Sequence, residues 1–470
     1  MAIKIGLEVH CQLNTRSKLF CGCATAPQGP PNTDTCPVCL GFPGYKPVLN
    51  RLAVEHVIRI GCALGSSISG RTFFSRKTYF YPDMSKNYQI TQYELPIAVG
   101  GHLDVGESRI GMTRVHLEED PARILYANGN LETTDYVLID YNRSGTPLAE
   151  IVTEPDIKSP AEARAFLEKL SNILEYIGAY DPSREMSLRV DVNISTDGGE
   201  RVEIKNITGF ENVEKALMYE SVRQANMVRM GARVERETRH FDDKARTTRA
   251  LRKKEYEEDY GYIFDPDLPL LRIAGEWVSS IASSMPELPD RMAERFASQY
   301  RISPYEAKVL VYAGKDMAEF FEASCRLHGN AREVSRWTIN YLMKSLNWRS
   351  ERVSRSKVRP ETFVELLRMI DSNAVTERFA KELIKEYVDT GEQPSKIAAG
   401  KAVSLDDAAL MEIVKKVVKE NGKAFEELKG GKAEAKQYLL GKVLRETRSQ
   451  ADPKKISAMI DEIKNASVAQ

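Results

Sequence analysis

Ile3-Lys4-Ile5-Gly6-Leu7-Glu8-Val9-His10-Cys11 sets the fold of the N-terminal part of the chain. Apolar and non-apolar residues alternate along it with the period of a β-strand, so Glu8 and His10 share a face. Further strand-like runs follow at Gly101–Arg109, Arg114–Leu117, Asp135–Tyr141 and Ala149–Val152. Between them lie Gly/Pro-dense turns such as Pro27-Gln28-Gly29-Pro30-Pro31, and a helix is expected near Arg51–Leu64. Ser159-Pro160-Ala161-Glu162 reads as a capping box with proline at N1, opening a helix that ends at Gly178. Strands at Leu188–Ser195 and Glu200–Asn206 and a helix from Asn212 to Met230 complete this part.

The character changes near Pro286–Pro289. Beyond it helical periodicity is nearly continuous, and after about Ser404 the chain becomes rich in Lys, Ala and Glu. These patterns predict an α+β protein in three parts. An N-terminal mixed β-sheet domain spans 1–290 and carries a loop at 21–39. An all-α helical domain spans 291–403, and a small α-helical tail domain spans 404–470. A length of 470 residues suits several domains.

Hydrophobic residues make up 42 % and charged residues 29 % of the chain, an ordinary soluble composition. Lys+Arg and Asp+Glu balance at 67 each, which excludes a globally polybasic protein. The sequence has no apolar run long enough to span a membrane, and its N-terminus does not resemble a secretory signal. A cytoplasmic location is therefore expected, with no membrane partner.

Six of seven cysteines fall in the first 62 residues. Clustering of this kind in a reducing compartment points to metal rather than disulfides. Cys21-x-Cys23 and Cys36-x-x-Cys39 are separated by 12 residues, a spacing that lets a loop bring four thiolates around one structural Zn²⁺. The alternative is four buried, reduced thiols. Cys11, Cys62 and Cys325 read as small apolar residues, and Met227, Met230, Trp337 and Trp348 as core.

His116-Leu117-Glu118-Glu119-Asp120 ends another strand with three successive acids, whose mutual repulsion a divalent cation would relieve. His and carboxylate ligands suit Mg²⁺ or Mn²⁺; a solvated turn is the plainer reading. Glu118 and Glu119 face opposite ways on a strand, so spacing does not choose between them. Arg76-Lys77-Thr78-Tyr79-Phe80-Tyr81-Pro82-Asp83 combines cations with aromatics and suits either a phosphate and a base or a packed strand. No P-loop motif is present.

Together these stretches resemble the B subunits of the aspartyl/glutamyl-tRNA amidotransferases. The similarity includes Asp140-Tyr141-Asn142-Arg143-Ser144-Gly145-Thr146-Pro147-Leu148-Ala149-Glu150-Ile151-Val152-Thr153-Glu154-Pro155, Arg189-Val190-Asp191-Val192-Asn193 and Glu203-Ile204-Lys205-Asn206. It extends to Leu439-Leu440-Gly441-Lys442-Val443 and Ala451-Asp452-Pro453 in the tail.

The resemblance implies a cradle-like catalytic domain. It implies ATP-dependent phosphorylation of the side-chain carboxylate of Asp-tRNA(Asn) or Glu-tRNA(Gln), followed by amidation. The partners implied are an amidase A subunit that supplies ammonia, a small C subunit and the misacylated tRNA. Glu8, His10, Glu118 and Glu119 become candidates around Mg²⁺, and Lys77 a candidate for ATP phosphate. Asp191, Asn193, Glu203 and Lys205 would line the same cradle. Asp140, Asn142 and Arg143 are either part of the site or structural.

One departure stands out. Asp259-Tyr260-Gly261-Tyr262 lacks an arginine that the family usually carries there. Arg229–Lys254 holds ten Lys/Arg against four acids, and Lys429–Lys455 eight against three, so both are candidate tRNA contacts. Two rival readings are the archaeal E subunit, which has an additional inserted domain, and a non-catalytic zinc-containing RNA-binding assembly protein.

Overall fold

The computed structural model describes residues 3–26, 29–127, 134–184, 187–197, 199–253, 261–401, 407–447, 451 and 453–468. The expected boundary at 404 lies outside these residues, as do Lys254, Asp259, Tyr260, Arg448 and Asp452. The chain divides into two compact units, Met1–Pro289 and Asp290–Gln470.

The first unit is built on one sheet, which among the described residues has ten strands. The first strand, Ile3–Gln12, runs through its middle, antiparallel to Pro147–Thr153 on one side and to Leu188–Thr196 on the other. Ser108–Glu119 lies beyond Pro147–Thr153. Val202–Ile207, Glu237–Asp242 and Thr247–Lys253 extend the opposite side, with one parallel pairing between Val202–Ile207 and Glu237–Asp242.

The sheet is two-faced because its alternation is sustained from strand to strand. Ile5, Leu7 and Val9 align with Ile151, Val190, Val192 and Ile194 in one buried core. Helices Arg51–Ala63, Pro160–Tyr176 and Phe210–Arg229 contribute Val57, Ile58, Phe166, Leu170, Val213 and Leu217 to that core. At about 25 cal/mol per Å² of apolar surface removed from water, this shared core is the principal support of the first unit. The opposite face is polar and carries the candidate site.

Several sequence boundaries change. The run expected as one strand at Gly101–Arg109 is a hairpin whose turn falls at Gly106 and Glu107, between His102–Val105 and Ser108–Glu119. At the Pro160 helix, Ser159 accepts from the Glu162 N–H, but the Glu162 carboxylate accepts from the N–H of Lys158, one residue before the cap. The capping box is thus half formed. Trp337 is buried, whereas Trp348 and Met230 are exposed and contribute little to any core.

Part of the Arg229–Lys254 stretch forms the strand Glu237–Asp242 and the edge strand Thr247–Lys253, and some of its charge is neutralised internally. Arg239 is buried against Glu237, Glu220 and Thr248. Glu220 is fully buried on the Phe210–Arg229 helix, where it also accepts from Arg223 and Gln224.

The second unit is helical throughout its described residues. Its last helices, Asp407–Glu420, Gly422–Lys429, Ala433–Glu446 and Pro453–Val468, share a cluster that includes Leu410, Val414, Leu439, Val443, Ile456 and Ile460.

Removing one partner of a buried ionic network leaves the others uncompensated. Glu220→Ala is expected to lower unfolding stability by about 3–5 kcal/mol, measurable by urea denaturation.

Candidate functional site

The polar face of the sheet assembles its side chains by strand register. His10 lies opposite Glu150 on one neighbour and Arg189 on the other, and Glu150 in turn lies opposite His116. Directly opposed residues in antiparallel strands point the same way, so these four side chains share a face. Glu118, two residues after His116, joins them. His10 Nε2 is 3.5 Å from both Glu118 Oε1 and Glu150 Oε2, and His116 Nε2 is 3.4 Å from Glu150 Oε2.

A second group lies one step along the first strand. Glu8 is opposite Asp191, and Asn193 Nδ2 donates to Glu8 Oε1 at 2.8 Å. Asp191 accepts from the Asn206 N–H at 2.7 Å, and Lys205 Nζ lies 3.4 Å from Asp191 and 3.3 Å from Glu203. The face therefore presents two ligand triads, His10/Glu118/Glu150 and Glu8/Asp191/Glu203. In each, one donor atom per residue lies within 4.8 Å of the other two.

Electrostatics mark the same cluster. Burial, followed by the charges of Glu150, Asp191 and Glu203, pushes the Glu8 carboxyl up. Burial and Glu150 do the same to Glu118. Burial also opposes the charge of Glu150, but His116 and the hydrogen bond to His10 hold its carboxyl well below the usual range. Burial would lower His10; its hydrogen bond to Glu150 and the charges of Glu118, Glu150 and Asp191 carry it instead up to about 9. Lys205 is likewise pushed up against burial by Asp191 and Glu203.

Among the described residues, the buried atoms His116 Nδ1, Asn193 Oδ1 and Arg114 Nε have no hydrogen-bond partner. Unsatisfied buried polar atoms are rare in folded proteins. Here they gather beside crowded carboxylates, and hard oxygen donors with one imidazole are a ligand set that fits Mg²⁺ or Mn²⁺.

Glu119 is placed elsewhere. It lies on the opposite face from Glu118, where its carboxylate accepts from Lys86 Nζ and from the Ile90 N–H. Lys77 lies on the short strand Ser75–Thr78, and its positive charge bears on Glu118. The neighbouring Arg76 is engaged by Asp265 and Asp267. Gly261 begins a strand that pairs with Ser75–Thr78, so the departure from the family motif falls beside Lys77.

Sequence reasoning assigned no role to Glu150, although a lone acid between Ala149 and Ile151 on a strand was a usable signal. Arg189 was also missed. It flanks His10 and donates to the fully buried carboxylate of Asp120 at 2.7 Å.

The cysteine loop forms a separate cluster. Cys21, Cys23, Cys36 and Cys39 place their sulfurs within 4.8 Å of one another. The Sγ atoms of Cys36 and Cys39 are 3.9 Å apart. A tetrahedral zinc site with Zn–S of about 2.3 Å requires sulfurs about 3.8 Å apart, so the quartet fits zinc. All seven cysteines are free. Asp140 and Asn142 belong to this loop's attachment: Asp140 accepts from the Asn32 N–H, and Asn142 from the Asp34 N–H. Arg143 donates to the carbonyls of Pro121 and Ala122. Arg143 Nε also lies 3.7 Å from the Asp120 carboxylate that Arg189 engages.

Sheet and site thus define an α+β chain with a carboxylate-rich polar face and a separate four-cysteine loop. A family model described as the GatB/GatE catalytic domain matches residues 3–279, and one described as a GatB domain matches 319–463. The B subunit of the aspartyl/glutamyl-tRNA(Asn/Gln) amidotransferase of Methanoregula boonei is 45% identical, covering 97% of each chain. That of Saccharolobus solfataricus is also 45% identical, over 96% of this chain and 97% of its own. That of Carboxydothermus hydrogenoformans is 40% identical, over 97% of each. The chain belongs to the family of aspartyl/glutamyl-tRNA amidotransferase B subunits.

A cation bound at His10/Glu118/Glu150 must displace the His10 proton at any pH below about 9. Mn²⁺ affinity is therefore expected to tighten between pH 6.5 and 8.5, by up to about tenfold per unit for one displaced proton. Titration calorimetry in buffers of different ionisation enthalpy should show proton release at pH 7, and His10→Gln should abolish that component.

Proposed function

We propose that this chain is the carboxylate-activating component of a tRNA-dependent amidotransferase. The observation that carries this reading is the juxtaposition, on one sheet face, of two carboxylate-rich ligand triads with Lys205 and the field of Lys77. Phosphoryl transfer requires positioning and charge neutralisation more than a protein nucleophile.

The side-chain carboxylate of Asp or Glu esterified to tRNA(Asn) or tRNA(Gln) is a poor electrophile, because its leaving group would be oxide. Transfer of the γ-phosphoryl of ATP to one carboxylate oxygen, with departure of ADP, creates an acyl phosphate. Ammonia then attacks the carbonyl carbon and inorganic phosphate leaves, giving the amide. Mg²⁺, when bound at this face, would neutralise the phosphoryl oxygens.

Each residue has a specific part in this reading. His10, Glu118 and Glu150 would hold one cation, and Glu8, Asp191 and Glu203 a second. Asn193 orients Glu8 through its 2.8 Å hydrogen bond, and Asn206 fixes Asp191 through its backbone N–H. Lys205 balances Asp191 and Glu203. Lys77 is assigned to the phosphates. Glu119, engaged by Lys86, supports the scaffold rather than the chemistry.

The quartet Cys21, Cys23, Cys36 and Cys39 binds zinc with no open position, which makes that metal structural. Ammonia comes from an amidase A subunit held by a small C subunit, consistent with the naming of the relatives as one component of a larger amidotransferase. The assembly operates in the cytoplasm, where misacylated tRNA is found. No helix among the described residues is long and apolar enough to cross a membrane.

The helices from Asp407 onward contact the tRNA. Several of their cations are held in exposed pairs, such as Lys416 with Glu420 and Lys455 with Asp407. Exposed pairs are weak and exchange readily for phosphate. Tyr438 is half exposed beneath Lys442, a pairing suited to stacking at an RNA surface.

In the assembled enzyme, His10→Ala or Glu118→Ala is expected to abolish amide transfer to misacylated tRNA, while the partner's glutaminase activity persists. Glu119→Gln is expected to retain transfer. Near-normal transfer by the first two variants refutes the assignment. Deleting 405–470 should weaken tRNA affinity and flatten its salt dependence without changing ATP affinity; gel-shift titrations at several salt concentrations measure this.

A further inference from the structure

Lys18 is among the largest fully buried side chains of the protein, with 1% of its surface exposed. Its ammonium donates to the backbone carbonyls of Asp34 at 3.0 Å and Tyr141 at 3.4 Å, and lies 3.6 Å from the Cys39 sulfur. Among the described residues no carboxylate forms an ion pair with it. Burying an ammonium without a counter-charge is strongly unfavourable, and two carbonyl dipoles do not replace a full negative charge.

The missing counter-charge is beside it. Zn²⁺ bound by four thiolates carries a net charge of −2. We infer that Lys18 is the charge partner of this tetrathiolate and locks the cysteine loop to the turn that leads into the Glu150 strand. The inference rests on the zinc reading above and extends it to a residue outside the cysteine motif.

The surroundings support both parts. Gly145 has φ +85°, and a Cβ there would stand 3.6 Å from the Lys18 side chain and 3.5 Å from Cys39, so the turn closes directly on the lysine. The Cys39 carbonyl accepts from Ser85 Oγ at 2.8 Å and from Ser144 Oγ at 3.3 Å. Tyr141, Ser144 and Gly145 immediately precede Pro147–Thr153, the strand that carries Glu150. Lys86, next to Ser85, holds Glu119. Lys18 is thus a positioning residue, and its neutralisation should be felt first at the metal.

The test compares Lys18→Met, Lys18→Gln and Lys18→Arg with wild type as full-length, zinc-loaded protein. Zinc release to a chromogenic chelator is followed, together with the spectrum of the cobalt-substituted forms. Partners outside a metal's direct ligands typically govern affinity by about 10–100-fold. The two neutral variants are expected to release zinc at least about tenfold faster than wild type. Their thiolate-to-cobalt charge-transfer band should move to longer wavelength, because the sulfurs lose a neighbouring cation. Lys18→Arg should stay near wild type in both readouts.

Wild-type release rates in both neutral variants overturn the inference. So does equal zinc loss in all three variants, since charge would then not be the cause. If the neutral variants purify without zinc while Lys18→Arg retains it, the inference is supported. Absence of stoichiometric zinc from wild-type protein would instead refute the zinc reading itself, so the two failures are distinguishable.

Discussion

Mutual repulsion among carboxylates on one sheet face is the constraint around which the first unit is organised. Glu8, Glu118, Glu150, Asp191 and Glu203 are brought together by strands whose other face forms the core. A sheet with fixed register cannot relieve that repulsion by turning side chains away. Relief comes from His10, His116 and Lys205, while burial, together with the repulsion that remains, raises Glu8 and Glu118. On the proposed reading, divalent cations and the phosphoryl groups they accompany would complete that relief.

The scaffold keeps that constraint in place from behind. Three helices hold the apolar face, and each contributes a run of fully buried aliphatic or aromatic residues. Beside the polar face, the cysteine loop is tied through Asn32, Asp34 and Cys39 to the turn at 140–146. Metal therefore serves two separate ends in this account. On the proposed reading, zinc would fix a loop and hard cations would serve the chemistry.

Much of this was legible in the sequence, and the parts that were not have physical reasons. The period of two in Ile3–Cys11 is enough to put Glu8 and His10 on one face. It does not decide between Glu118 and Glu119, because that choice depends on which face of a distant strand meets His10. Glu150 escaped notice because an isolated acid on an alternating strand looks like an ordinary solvent-facing residue until its neighbours across the sheet are known. The strands at 237–253 are obscured by their charge: the Arg239–Glu237 pair is completed by Glu220, which the preceding helix brings against it only in the folded chain. Local pattern reports periodicity, whereas register and long-range ion pairs are set by the packed whole.

The central claim is that this face moves a phosphoryl group onto the substrate's own carboxylate. It is tested most directly by isotope transfer, using Glu or Asp whose side-chain carboxylate carries ¹⁸O, esterified to the cognate tRNA and converted by the assembled enzyme with ATP and glutamine. The account predicts one ¹⁸O atom in inorganic phosphate for each amide formed, with ADP as the nucleotide product. Label recovered in AMP, or amide formation with none in phosphate, would contradict it.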